Sequence, residues 1–228
     1  MRWFRTHWYD LGLVVGIAAL VVGAIVGFKG LQLILLLNFA TLLLHQFEEY
    51  RLPGGEPWIL NEVSQPKGGP ADSYPLNANS ASLGNVAMWV PYLVPVFFPD
   101  VIWLGLVPVL FGAVGQFVVH VVQTNIKLKT FYNPGCFTVV VGWVPLAIWY
   151  LIVAYGEGRV DGWQWLFVVL YGIFMIGFFG FALTYGILQD KTGRYPFTRD
   201  EMGRFDRERR LAHAGITPLP FTADRIAK

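Results

Sequence analysis

The stretch from residue 31 to residue 55 reads LQLILLLNFATLLLHQFEEYRLPGG. Fourteen uncharged, mostly apolar residues come first. A histidine, two glutamates and a Pro-Gly-Gly turn then close it. Charged side chains at membrane depth are costly, so they are either interfacial or part of a working site. The rest of the sequence decides between the two, and decides first whether this run spans a membrane.

The chain has 228 residues, 55% hydrophobic and 14% charged. That is too apolar for a soluble domain of this length and far too apolar for a disordered one. Uncharged runs of eighteen or more residues recur, each able to cross a hydrocarbon core of roughly 30 Å. The expected fold is all-α: a polytopic transmembrane helical bundle of about six spans, near 11–28, 31–49, 84–99, 101–125, 135–155 and 163–189. Pro91, Pro95 and Pro99 predict a kink or an incomplete crossing in the third. Gly12, Gly16, Gly23 and Gly27 give the first span the small residues of a close helix contact. Its opening, MRWFRTHWYD, has the two arginines of a signal peptide but no A-x-A-type cleavage site after it, so it reads as a retained helix. The single cysteine, Cys136, excludes an intrachain disulfide framework.

Nine of the seventeen Lys and Arg residues lie after residue 190. With six spans, those nine share a side with Arg2, Arg5, Arg51, Lys67, Lys127 and Lys129, and only Lys29 and Arg159 fall opposite. The fifteen-to-two split places both termini in the cytoplasm by the positive-inside rule. Residues 1–190 are expected to form the transmembrane domain and 191–228 a cytoplasmic basic tail. In that tail RDEMGRFDRERRLAHAG reads as a surface helix ended by Gly215, and its arginines suit a topology signal or anionic headgroups. No basic stretch is interleaved with aromatics, which excludes nucleic acid as a partner class. Loop 50–83 is expected to fold over the cytoplasmic mouth, because Trp58 and Ile59 need burial.

Helical periodicity gathers the polar residues of the spans into stripes. At 100° per residue, Glu48 and Glu49 lie about 60° and 40° either side of His45, and Thr41 and Asn38 continue the line inward. On the fourth span Gln116, His120, Gln123 and Thr124 share a face near the same membrane level. Asn133, Pro134 and Gly135 make a turn there that can present backbone groups inward, and Asn85 opens the third span at that level. Taken singly, His120 suits a helix–helix hydrogen bond and the glutamate pair a solvated helix end. A helix C-terminus disfavours two negative charges, however, so something positive should compensate them.

HQFEEYRLPGG, then YPLN at 74–77 with Asn85, then His120, then YNPGCFT at 132–138 resemble the HXXEE-domain membrane proteins. The resemblance runs from about residue 31 to 155. It implies an active or metal-binding site made by His45, Glu48, Glu49, His120, Asn133, Pro134 and Gly135. The family pattern has an aromatic after the two glycines, where this chain has Glu56.

His45 and Glu49, four apart on one helix, can share a cation, and His120 adds a second imidazole. Two imidazoles and a carboxylate suit a divalent metal, zinc or iron, leaving the other glutamate as a general base. The expected function is therefore a membrane-embedded, metal-dependent enzyme, a hydrolase or oxidoreductase. Its catalytic residues are His45, Glu48, Glu49 and His120, and its metal ligands His45, Glu49 and His120. Asn38, Thr41, Asn85, Gln116, Gln123, Thr124, Asn133 and Gly135 are expected to support it or touch the substrate. The partners are membrane lipids and an apolar small-molecule substrate, and the protein is expected in the plasma (inner) membrane if the source is bacterial, with the site facing the cytoplasm. Two other readings stay open: a metal-free acid/base enzyme of hydrolase or cyclase/isomerase type, and a transporter or structural membrane protein. No GxSxG, Walker or GxGxxG pattern points elsewhere.

Overall fold

The computed structural model describes residues 1–223. Among them there is no strand. Six helices are long and apolar enough to cross a membrane: α1 (Arg2–Val26), α2 (Gly30–Tyr50), α3 (Ala78–Phe97), α4 (Ile102–Leu128), α5 (Thr138–Gly156) and α6 (Gln164–Ile187). At 1.5 Å per residue, lengths of 19 to 27 residues reach about 28–40 Å.

The hub of the bundle is α2. It packs along α1, the second half of α3 and α5, and touches the first half of α4. In its apolar window 56% of residues are buried, against 11% for α6, which lies at the periphery. Ile34, Leu35, Phe39 and Leu43 of α2 meet Tyr92, Leu106, Trp143 and Tyr150 in one apolar cluster. Gly12 and Gly16 bring α1 onto Leu43, and Gly23 brings it onto Leu36, as their spacing predicts. Gly27 does something else: at φ +82 it ends α1 in a left-handed cap, a conformation a side chain would strain.

The third span departs from its sequence reading. It begins at Ala78 rather than near residue 84, because Asn77 caps it. The Asn77 side chain accepts from the amides of Asn79 (3.0 Å) and Ser80 (2.9 Å), and Ser80 Oγ accepts from the Asn77 amide in return, a reciprocal capping box. Asn85 therefore lies two turns inside α3 instead of opening it. The helix is interrupted at Met88, just before Pro91, but its 20 residues still suffice to span.

Loop and tail together cover one end of the bundle. Trp58 and Ile59 are fully buried, as expected. Asn61 staples the loop by donating to the carbonyls of Ala71 (2.8 Å) and Leu76 (2.9 Å) and accepting from the Leu76 amide. The tail docks onto it: Ala78 N donates to Tyr195 O, Phe197 N to Asp72 O and Ala71 N to Pro220 O. Arg207 forks onto the fully buried Glu62 carboxylate at 2.6 and 2.7 Å. The tail is not one helix but two, Arg199–Gly203 and Arg207–Ala214, parted by Phe205 and Asp206 at positive φ; Gly215 closes the second. Its arginines are partly inward: Arg204 donates to the Tyr50 carbonyl, and Arg210 lies 3.5 Å over the Phe205 ring. Arg5 stacks on Tyr195, so the start of α1 and the tail share this end.

Candidate metal centre

The last two turns of α2 carry His45, Glu48 and Glu49 to the end of the bundle that loop and tail cover. All three are buried. From α4 comes His120, and from the head of α5 comes Thr138, after the turn Asn133-Pro134-Gly135-Cys136. Glu49 Oε1 lies 3.3 Å from His45 Nε2 and 3.2 Å from His120 Nε2. The two imidazole rings meet at 4.9 Å and 87°, with Trp143 4.5 Å from the His45 ring.

The remaining hydrogen bonds assign the ring protons. Glu48 collects four donors: Tyr132 Oη (3.0 Å) and Phe137 N (3.1 Å) on Oε1, Thr138 N (2.9 Å) and Thr138 Oγ1 (2.6 Å) on Oε2. The single Thr138 hydroxyl proton goes to that short, charge-assisted bond. His45 Nδ1, 2.8 Å from Thr138 Oγ1, must then be the donor to it. On the other side, Asn133 Nδ2 donates to the His120 carbonyl (2.7 Å) and Asn125 Oδ1 (2.8 Å). Its Oδ1 therefore faces His120 Nδ1 at 3.0 Å and accepts from it. Both rings carry a proton on Nδ1, so in the neutral form of each ring the Nε2 lone pair points at the Glu49 carboxylate. His45 Nε2 is buried without a hydrogen-bond partner.

With both rings neutral, three electron-rich atoms face one another in a buried cluster, an arrangement that needs a metal ion, or a proton on Nε2, between them. His45, Glu49 and His120 could hold a metal ion: one ligand atom from each lies within 4.8 Å of the others. A tetrahedral site with bonds of about 2.0–2.1 Å has ligand–ligand edges of about 3.3–3.4 Å, close to the two measured separations. The outer partners match as well, since metal-binding histidines pass their other N–H to a fixed acceptor.

Gly135 makes this approach feasible. Its φ is +98, and a Cβ there would stand 2.6 Å from His120 Nδ1 and 2.8 Å from His45 Cε1. Glu48, expected as the free general base, is instead committed to the first amides of α5. The helix N-terminus there supplies the positive end that Glu48, at the C-terminus of α2, requires.

Not every expected residue reaches the site. Asn85 and Gln116 line the cavity beside the cluster, and Gln46 ties Asn85 to α2 by donating to its Oδ1 at 3.2 Å. Asn38 is buried two turns deeper with both amide atoms unpaired. Thr41 bonds the Leu37 carbonyl at 2.8 Å; neither lines the cavity. Gln123 is exposed, because Phe117–Thr124 runs in π-helical turns. These take more than 3.6 residues per turn, which keeps position i+4 on the His120 face and swings i+3 away. Thr124 stays inward and meets Ser64 Oγ at 3.3 Å. Sequence reasoning missed Thr138, Asn125, Tyr132 and Glu56. Only Thr138 had a signal, a threonine at a helix start.

The cavity, about 220 Å³, is bounded by apolar side chains including Leu42, Met88, Phe111, Ile176 and Phe179. Helices α4 and α6 pack together along Ile102–Leu110 and Gln164–Phe174, then part, and the cavity lies in the gap.

Fold and site together define a class: an all-helical protein with six membrane-length helices and a buried His–Glu–His cluster. Residues 36–150, 115 of the 228, match the family described as proteins of unknown function with an HXXEE motif. The chain belongs to that family, and the matched segment contains all three residues of the cluster. No curated protein and no solved structure matches it.

Proposed function

We propose that this protein is a membrane-embedded, metal-dependent enzyme that acts on a lipid or other apolar substrate. One observation carries the reading: both rings donate from Nδ1, to Thr138 and Asn133, so that in their neutral form two imidazole lone pairs and a carboxylate face one another. His45, Glu49 and His120 hold the ion. A His₂Glu set suits catalytic zinc, as in hydrolases, and equally the open coordination of non-haem iron. A cation held there supplies Lewis-acid activation of the group it meets.

Thr138 and Asn133 keep the two rings in the ligating tautomer, and Glu48 fixes Thr138. Gly135 holds the rings close, and Trp143 shields His45. The apolar walls and the gap between α4 and α6 support a substrate that enters from the bilayer. About 220 Å³ takes the reactive end of a lipid rather than the whole molecule. The fifteen-to-two distribution of Lys and Arg supports a cytoplasmic face for this end. Maleimide labelling of a cysteine at position 29 from the outside, and of one at Arg209 only after permeabilisation, is the expected pattern.

Elemental analysis of detergent-purified protein tests the metal. About one zinc or iron per chain is expected, absent after chelation and in His45→Ala and His120→Ala. A well-folded wild type that retains no metal, even after loading with Zn²⁺ or Fe²⁺, refutes the reading and leaves acid/base chemistry between Glu49 and the imidazoles.

A further inference from the structure

The loop after α2 returns a carboxyl to the cavity. Gly54 and Gly55, at φ +73 and +109, turn the chain back onto the bundle. A Cβ at Gly55 would meet Phe205 Cβ and Trp58 Nε1, both at 2.9 Å. Trp58 Nε1 fastens the turn by donating to the Arg204 carbonyl at 2.9 Å. Glu56, lying between, becomes part of the cavity wall together with His45, Glu49 and His120.

Glu56 is 6% exposed, and its Oε2 has no hydrogen-bond partner. Among the described residues no lysine or arginine pairs with it. The nearby Arg204 turns its guanidinium to the Tyr50 carbonyl, Tyr9 and Asp200 instead. Of the titratable groups around Glu56, Glu49 from α2 raises its pKa and His120 from α4 lowers it, while Tyr50 of α2 and Tyr185 of α6 feel its charge. A carboxyl at the first position of a short helix commonly serves as a cap. Here the buried, unpartnered oxygen speaks against that role, because a cap would accept from an amide. Burial, and then the charge of Glu49, push this carboxyl up to about 8, and a carboxyl buried with an unpartnered oxygen and no lysine or arginine beside it favours its neutral form. A buried neutral acid with a free O–H is the arrangement of a proton donor.

We propose that Glu56 is the proton donor of this centre, a neutral carboxyl in the cavity wall that passes its proton to an oxygen of the bound ligand. This deepens the proposed function and rests on it. The ligand it fits carries an oxygen function, such as an ester, acid or alcohol, at the end of an apolar chain. The transfer moves one proton and no electrons: the Glu56 O–H bond breaks, a ligand O–H bond forms, and Glu56 is left as a carboxylate. The ligand meets the loaded centre, so the donor has to keep its proton with a cation bound at His45, Glu49 and His120.

The test uses full-length protein in detergent at pH 7, with two readouts. Infrared spectroscopy of the metal-free protein is expected to show a protonated-carboxyl C=O band that Glu56→Gln removes and the surface variant Glu208→Gln leaves in place. The measurement is then repeated on protein loaded with Zn²⁺. In the loaded wild type the band is expected to persist, and in loaded Glu56→Gln to be absent. Glu56→Leu repeats both measurements if the glutamine variant does not fold. A band that is absent from the metal-free wild type or survives in Glu56→Gln overturns the proposal, and so does a band that disappears when the wild type takes up Zn²⁺. A band assigned to Glu56 in a protein that binds no Zn²⁺ upholds the neutral donor and overturns the metal reading instead.

Discussion

Replacing Thr138 by valine tests whether the outer hydrogen bonds set the state of the centre. Valine keeps the shape but removes one hydroxyl with two roles. It donates to Glu48 Oε2 at 2.6 Å and accepts from His45 Nδ1 at 2.8 Å. Glu48 keeps its three other donors, Tyr132 Oη and the amides of Phe137 and Thr138, so its carboxylate stays satisfied. His45 loses the one acceptor that holds its proton on Nδ1. Nε2 protonation then competes with metal binding. Loss of such an outer partner weakens metal affinity by about 10–100-fold, or about 1.4–2.7 kcal/mol. Losing the charge-assisted bond also costs about 1.5–3 kcal/mol of fold stability. Chelator competition with Zn²⁺ reads the first quantity and thermal denaturation of the metal-free protein the second. Thr138→Ser restores the hydroxyl and should recover most of both. Zn²⁺ affinity in Thr138→Val equal to wild type would refute the tautomer assignment and, with it, the physical basis of the metal reading.

Gly135→Ala places a methyl group 2.6 Å from His120 Nδ1 in a left-handed backbone. It should cost about 1–3 kcal/mol in strain alone and lower metal stoichiometry, both read on the same purified sample. Arg207→Ala leaves Glu62 buried without its guanidinium. It should destabilise the loop–tail cap by about 3–5 kcal/mol, seen as faster proteolysis between residues 190 and 223 while the apolar helices stay protected. Glu56 also predicts a pH effect. With its folded-state pKa raised to about 8 from 4.5, the folded protein holds a proton the unfolded chain has lost, so stability falls as pH rises between those values. Metal-free Glu56→Gln should lack that component, and chemical denaturation from pH 5 to 8 with parallel slopes in the two proteins would contradict it.

What the sequence by itself determined is the part governed by local rules. Uncharged runs, the lysine and arginine distribution and the 100° stripe specify six spans and put His45 and Glu49 on one face, because hydropathy and helical period act over neighbouring residues. The meeting of His120 with them was also legible, through the common membrane level of the two stripes. The tertiary structure decided the rest, because those interactions join groups far apart in the chain or hinge on helix geometry that composition does not reveal. Glu48 looks the equal of Glu49 in HQFEE, yet α5 claims it through Phe137 and Thr138, some ninety residues on. Gln123 matched the His120 stripe until π-helical turns rotated it outward. Glu56, in a loop with no period to read, enters the cavity only because two glycines at positive φ fold it back beneath the docked tail. Side-chain protonation followed the same division: which histidine nitrogen is free is set by Thr138 and Asn133, and only packing brings those two groups to the rings.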